Sequence, residues 1–258
     1  MSNNLILGFN TVVDDRNPLG ENFPAVQLYD GAGTVYFGSE PYSTGNKLDQ
    51  TIFTLSDNFT IYKGKHTFTI GTANEFTSVY NLFMRKAFGE YRWLSVADFL
   101  NGDNAYQYER GYSLVDNVTG DGSAAAADFN MMQLSLYAQD EFQVKSNLKL
   151  TYGIRFDMPV FSTDPGEDVS FNTNTIPVLE AAGWDLMGAK AGQMPGTQLL
   201  FSPRVGFNWD VNDDKTFQIR GGAGIFTSRL PLVWPGGSYT NNGITIGGVY
   251  VRESWGYD

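Results

Sequence analysis

The chain has 258 residues, of which 42% are hydrophobic, 15% aromatic and 17% charged. It contains no cysteine, which excludes disulfide bonds and thiolate metal ligands. The formal net charge is −11, and no segment forms a basic surface of the kind that binds nucleic acid. No run approaches the ~18 consecutive apolar residues of a membrane-spanning helix. The high aromatic content suits strands that cross a membrane interface.

Alternating apolar and polar residues predict seven long strands. One strand comes first, and three pairs joined by tight turns follow it. The predicted strands are 3–13, 50–62, 66–79, 131–144, 148–161, 201–211 and 215–228. The predicted turns are 63–65, 145–147 and 212–214. This pattern indicates antiparallel hairpins arranged in chain order.

The length and the two faces of these strands point to a membrane. Soluble strands usually have roughly 5–6 residues, whereas a tilted strand needs about 9–11 to cross a bilayer. One predicted face carries large apolar side chains, such as Leu134 and Leu136, and the other carries Arg, Glu, Gln and Gly. Lipid outside and water inside would account for both faces. We therefore predict an all-β fold, an antiparallel up-and-down transmembrane β-barrel, with a soluble β-sandwich as the alternative.

The predicted long connections are 14–49, 81–130, 162–200 and 229–258. The excess of acidic residues in the first three equals the whole net charge of −11. Because outer-membrane barrels have short periplasmic turns and longer extracellular loops, we place these connections outside the cell. A short helix is expected within 94–102, capped by Ser95 and ended by Gly102, with a weaker candidate at 176–187, and 120–127 is expected to be a flexible loop tip.

Seven strands cannot close a barrel, because bacterial single-chain barrels have an even number. An open sheet would also expose unpaired backbone groups to hydrocarbon. The first residues lack a secretory signal, and the last lie in Gly/Asn-rich sequence. We therefore expect the sequence to be an internal fragment of a longer barrel, with 1–258 forming one partial domain.

Two segments resemble a known family. SLYAQDEFQVKSNLKLTYGIRFDMPVF and FSPRVGFNWDVNDDKTFQIRGGAGIFTSRLP are similar to the barrel of TonB-dependent outer-membrane receptors, in particular the Oar-like branch with a carboxypeptidase-regulatory-like domain. The segments FGSEPYSTGNKLDQTIFTLSDNFTIYKGKHTFTIGTANEF and LSVADFLNG resemble the preceding part. The resemblance implies a barrel of about 22 strands filled by a plug, with the plug and the closing strands outside this sequence.

The resemblance also implies a function and partners. A receptor of this family resides in the bacterial outer membrane and actively imports a bulky nutrient. Its partners would be outer-membrane lipid, its own plug domain, the TonB complex and an extracellular ligand that the sequence does not identify. The alternative is a structural, adhesion or protein-handling surface protein without active import. Neither hypothesis requires a cofactor, and we expect no enzyme activity.

Candidate chemical motifs are weak. His66 is the only histidine and has no partner at a supporting spacing, so an interfacial role is favoured over catalysis. The run 210–214 begins like a calcium loop, but Lys215 replaces the glycine, so a hairpin turn is favoured. A set of loop oxygens is a further calcium candidate, although a solvated acidic loop is favoured. That set is Asp116, Asn117, Asp121 and Asp128.

Charged and polar residues on the predicted luminal face are the main functional candidates. They are Gln139, Glu141, Arg155, Asp157, Arg204, Asp210 and Arg220. Ion pairs that hold the wall together are the simpler interpretation. Contact with a plug, or with the route that opens when a plug moves, is the functional one. Gly222 and Gly224 are predicted to face the lumen as well, where glycine would leave room for a plug.

Overall fold

The computed structural model describes residues 1–16, 19–116, 118 and 120–252. Within these residues the strands are β1 Ser2–Asp15, β2 Ala25–Asp30, β3 Gly33–Phe37, β4 Asn46–Lys63, β5 His66–Phe83, β6 Glu90–Trp93, β7 Gln107–Ser113, β8 Ala127–Lys145, β9 Leu148–Phe161, β10 Leu200–Asp210, β11 Gln218–Gly224 and β12 Ile246–Arg252. The helices of the same residues are α1 Val96–Asn101, α2 Ile176–Ala181 and α3 Val233–Thr240. A 3₁₀ turn covers Ser123–Ala125 and a π-helical turn covers Phe171–Thr175. The fold is therefore all-β.

The long strands form one antiparallel sheet, which we call the large sheet. Among the described residues its order is β1-β4-β5-β8-β9-β10-β11, so each long strand pairs with the next long strand along the chain. Each of the seven overlaps a strand predicted from the sequence, and β8 reaches 19 residues. Within the described ranges the sheet does not close on itself, because β1 and β11 each have only one neighbour.

Away from the end of β5, where Leu82 packs with Ile246, the apolar face of the large sheet is not covered by a second sheet. The residues expected on this face are Phe53, Leu55, Phe68, Leu136, Phe142, Leu150, Ile154, Val205, Phe207, Trp209 and Ile219. None of them is buried, and Leu136 and Val205 are 58% and 57% exposed. A soluble sandwich would bury such residues between its sheets. The sandwich alternative is therefore wrong.

The third hairpin differs from its predicted bounds. Strand β11 begins three residues later and ends four residues earlier than the predicted 215–228. The turn is wider because the Asp210 carboxylate accepts a hydrogen bond from the Lys215 backbone N–H at 2.7 Å. Asp213 and Lys215 also have positive φ angles of 59° and 64°. Such a backbone cannot continue a ladder.

A second sheet, which we call the small sheet, lies within the long connections. Its order among the described residues is β12-β7-β6-β2-β3, with β2 and β6 parallel. The sequence analysis predicted connections at 14–49, 81–130 and 229–258, and so it missed all five strands. These strands have only 4 to 7 residues, too few for periodicity to distinguish them from loops.

Other features of the connections are partly as predicted. Helix α1 forms at its predicted place, where Ser95 Oγ accepts from the Asp98 N–H at 3.0 Å and Gly102 ends the helix in the left-handed region. Helix α2 covers only the first half of the predicted 176–187. The flexible tip predicted at 120–127 is wrong, because Ala125 is 0% exposed and packs with Leu82 and Met84.

The ends of β5 and β8 that lie away from the tight turns are covered on both faces. On one face, Val79, Ala127 and Phe129 form a buried cluster with Met194 and Tyr239 from the connections. On the other face, the cluster of Leu82, Met84 and Ala125 is packed by Ile246. Where connections fold back on the strands, both faces are therefore apolar, and the two-faced pattern holds only nearer the tight turns.

Candidate functional site: the polar face of the large sheet and the connection pocket

All seven predicted luminal residues share one face of the large sheet, which we call the polar face. Directly paired residues of an antiparallel ladder point to the same side. Tyr137 pairs with Arg155, and Arg155 pairs with Ser202. Pairings of the same kind connect Gln139, Glu141, Asp157, Arg204, Asp210 and Arg220 to this face.

Arg155 and Asp157 form the centre of the best-connected group on the polar face. Arg155 Nη2 lies 2.9 Å from Asp157 Oδ1, and it donates to Ser135 Oγ at 2.7 Å. Ser135 Oγ donates to Asp157 Oδ1 at 2.7 Å. The Arg155 guanidinium also lies 5.5 Å from the Tyr137 ring centroid, and the Tyr137 hydroxyl donates to Asn58 Oδ1 at 2.6 Å. The group thus connects three strands, β4, β8 and β9, and holds a charged pair in a fixed geometry.

The remaining predicted residues do not join this group. Glu141 pairs with Lys149 on β9 at 2.7 Å. Arg220 donates to Gln218 at 2.7 Å on its own strand, and Arg204 lies over the Phe226 ring at 4.6 Å. Asp210 closes the third turn rather than lining a route. Ion pairs within the wall are therefore present, as the simpler interpretation expected.

The structure explains why glycines occur in β10 and β11. Gly206 pairs with Gly222 across the ladder. A Cβ on Gly222 would lie 2.8 Å from the Val205 carbonyl oxygen, and one on Gly224 would lie 2.9 Å from the Pro203 carbonyl oxygen. Close backbone approach therefore requires glycine at both positions, independently of any plug.

A polar group on the opposite, apolar face was missed. His66 Nδ1 and Asp140 Oδ2 are hydrogen-bonded at 2.7 Å, and the Tyr152 hydroxyl donates to the same oxygen at 2.6 Å. The His66 ring stacks on Phe142 at 4.3 Å. The sequence did contain a signal for this group: the carboxylate of Asp140 lies at an apolar-face position between Ala138 and Phe142. The group lies beside two tight turns, where the sequence analysis placed His66 at the interface.

The backbone ladder between β5 and β8 is interrupted at one point. The pairs between Thr72–Leu136 and Glu75–Gln133 are absent. The Ser135 backbone N–H donates instead to Asn74 Oδ1 at 3.2 Å, and Thr72 Oγ1 donates to the Ser135 carbonyl oxygen at 2.7 Å. Two side chains therefore take the places of backbone partners between these strands.

The calcium candidates have other roles. Asp116 accepts from the Val118 and Gly122 N–H groups at 3.0 and 3.1 Å, and Asp121 accepts from the Ser123 N–H at 2.9 Å. Asn117 lies outside the described residues. Within the described part of the chain, no group of three or more His, Asp or Glu residues could hold a metal ion.

A network of buried charges holds the small sheet together. Lys86, with 5% of its side chain exposed, binds Glu109 and lies 2.6 Å from Glu90. Arg92 also contacts Glu90, at 2.8 Å. Burial alone would raise the pKa of Glu109, but the hydrogen bond and charge of Lys86, together with Arg85 and Arg92, outweigh it and lower that pKa below its usual value. Paired charges thus replace a larger apolar core here.

A polar cavity lies among the connections. It has a volume of about 900 Å³. Its lining includes Arg16, Lys47, Tyr80, Arg110, Tyr112 and Asp116. Two of the cations already have partners, because Arg16 pairs with Asp14 at 3.1 Å and Lys47 lies 3.4 Å from Asp15. The pocket is therefore polar, aromatic on part of its wall, and close to neutral.

None of the helices in the described part of the chain is long and apolar enough to cross a membrane. Long antiparallel strands with an exposed apolar face and a charged opposite face define an outer-membrane β-barrel protein. The family described as "outer membrane beta barrel domain" matches residues 2–246. The chain belongs to this family and is located in the bacterial outer membrane. Neither the curated proteins nor the solved structures contain a match.

Proposed function

We propose that the chain forms part of the barrel wall of a TonB-dependent receptor that actively imports a bulky nutrient. The observation that supports this most is the separation of the fixed Arg155–Asp157 pair on one face from exposed apolar side chains on the other. In this proposal the polar face lines a wet lumen, and the apolar face contacts outer-membrane lipid. The proposal includes coupling to TonB because the sequence from β8 to β11 resembles such receptors.

The membrane arrangement follows from the connections. The tight turns lie in the periplasm, and the small sheet and the 900 Å³ pocket lie outside the cell. Strands β1 and β11 pair with further strands of a closed barrel, because each unsatisfied backbone group in hydrocarbon costs several kcal/mol. A plug domain, supplied by the same receptor, fills the lumen and contacts the TonB complex.

In this proposal the extracellular connections bind the ligand. Connections that fold into their own sheet exceed what is needed to join strands, and binding residues concentrate in such loops. The acidic excess disfavours polyanions and favours neutral or cationic ligands. Screening over about 8 Å at physiological salt limits this preference to close contacts.

The proposal is tested in the complete receptor. Cells with and without TonB are compared for ligand binding and for energised uptake, and the receptor with residues 81–130 shortened is measured alongside. We expect binding without TonB, uptake only with TonB, and loss of binding in the shortened receptor. Uptake that is equal with and without TonB would refute active import.

One observation favours the alternative, a surface protein for adhesion or protein handling. The small sheet packs through Ile246 on the apolar-face side of β5, so it projects outward from the wall. If the protein is a surface protein for adhesion or protein handling, shortening residues 81–130 should abolish cell adhesion or partner binding. Cells with TonB and cells without TonB should then both take up no solute.

A further inference from the structure

After β11 the chain crosses the polar face of the large sheet. Up to Thr227 it stays beside β10, where Ser202 Oγ and Thr227 Oγ1 are 2.9 Å apart. Arg229 Nη2 then lies 2.7 Å from Glu75 Oε2 on β5. Strands β8, β9 and β10 separate β11 from β5, and neighbouring strands are about 4.8 Å apart. The Arg229 side chain, on a segment that has just left β10, therefore reaches across the polar face to β5.

The crossing segment contacts the wall at several points. Leu230 and Leu232 line a cavity of about 150 Å³ together with Ile52, Thr77 and Met131. Helix α3 follows, and its Tyr239 stacks on Phe129 with ring centroids 4.7 Å apart and planes within 9°. Every large-sheet residue in these contacts belongs to the polar face by register.

We propose that residues 229–240, which we call the strap, close the extracellular entrance to the lumen and that the Arg229–Glu75 pair is their latch. The proposal rests on the assignment of the polar face to the lumen. Arg229 has 75% of its side chain exposed and Glu75 has 20%. Because the Arg229 side chain is mostly in water, a ligand arriving from outside can reach it and compete with Glu75 for the guanidinium. Leu232 and Tyr239 hold the strap in place when the latch is closed.

The test uses a single cysteine in the complete receptor, because the chain has none of its own. Ala73 lies on the polar face, two residues from Glu75 on the side of the tight turn. The Ala73→Cys receptor is exposed, in intact cells, to a membrane-impermeant maleimide. Tyr36→Cys in the small sheet, 68% exposed, controls for expression and reagent.

Charge reversal then opens and recloses the latch. With Glu75→Arg, labelling of the cysteine at position 73 should accelerate by about fivefold or more, because the ion pair is lost and is replaced by repulsion between two cations. With Glu75→Arg and Arg229→Glu together, the pair is restored in reverse, and labelling should return to the parental rate. Heat-modified gel mobility confirms that each variant assembles.

The outcomes distinguish a failure of the strap proposal from a failure of the proposed function. An unchanged labelling rate in Glu75→Arg, or no recovery in the double variant, overturns the latch. No labelling at position 73 in any variant, even in detergent, overturns both the strap and the wet lumen. A labelling response without TonB-dependent uptake supports the strap and refutes active import.

Discussion

Arginine at Leu136 should prevent assembly of the barrel, although this residue contributes little protein packing. Leu136 is 58% exposed on the apolar face, so in a soluble protein the substitution would leave stability nearly unchanged. In lipid, a charge near the bilayer midplane costs about 2–4 kcal/mol. At 1.4 kcal/mol per factor of ten, this lowers the folding equilibrium by about 30-fold to several hundredfold.

The matched control is Thr151→Arg, on the neighbouring strand. Thr151 lies on the polar face and pairs directly with Glu141, so the new cation faces water and a carboxylate. Ser135 is unsuitable as a control, although it shares this face, because its hydroxyl lies buried between Arg155 and Asp157. Folding is measured in the complete outer-membrane protein by heat-modified mobility after dilution from urea into bilayers. Equal yields for Leu136→Arg and Thr151→Arg would refute the assignment of lipid to the apolar face.

Three further results are expected. The lowered pKa of Glu109 means that its contribution to stability is present above the ordinary glutamate pKa and is lost as pH falls through the folded-state value; the protection factors of the β7 amides, which correct for the intrinsic exchange rate at each pH, should therefore fall in acid, and less so in Glu109→Gln. Ala125→Glu places a carboxylate where 0% of the side chain is exposed, so proteolysis of the connections should increase while the barrel still assembles. Ser95→Ala removes the cap of α1 and should cost about 1 kcal/mol, visible as faster exchange at Asp98 but not in β9.

The large sheet was predictable because its strands are long and two-faced. An alternation sustained over more than ten residues, as in 131–144, has few interpretations other than a strand. The same residues determine the register, since a slip by one residue would exchange the two faces. Candidate residues such as Arg155 and Asp157 were assigned to the polar face for this reason.

The small sheet and the side-chain pairs were not predictable from such patterns. The strands β2 and β6 are parallel and short, and the side-chain hydrogen bond between them, from Gln27 Nε2 to Glu90 Oε1 at 2.6 Å, leaves no mark in the alternation. The partners of Asp140 and Glu75 are far from them in sequence. Local periodicity contains no information about which distant cation or hydroxyl meets a given carboxylate.

At the interruption between β5 and β8, side chains replace the backbone partners that join neighbouring strands elsewhere in the sheet. Elsewhere neighbouring strands are held by backbone groups, which no substitution except proline removes. At Ser135 the link depends on Thr72 and Asn74, whose side chains a single mutation can delete. The ladder continues on both sides of this point, over residues 66–72 with 136–142 and 75–81 with 127–133, so the interruption is local, and deleting either side chain should loosen β5 from β8 around Ser135 alone.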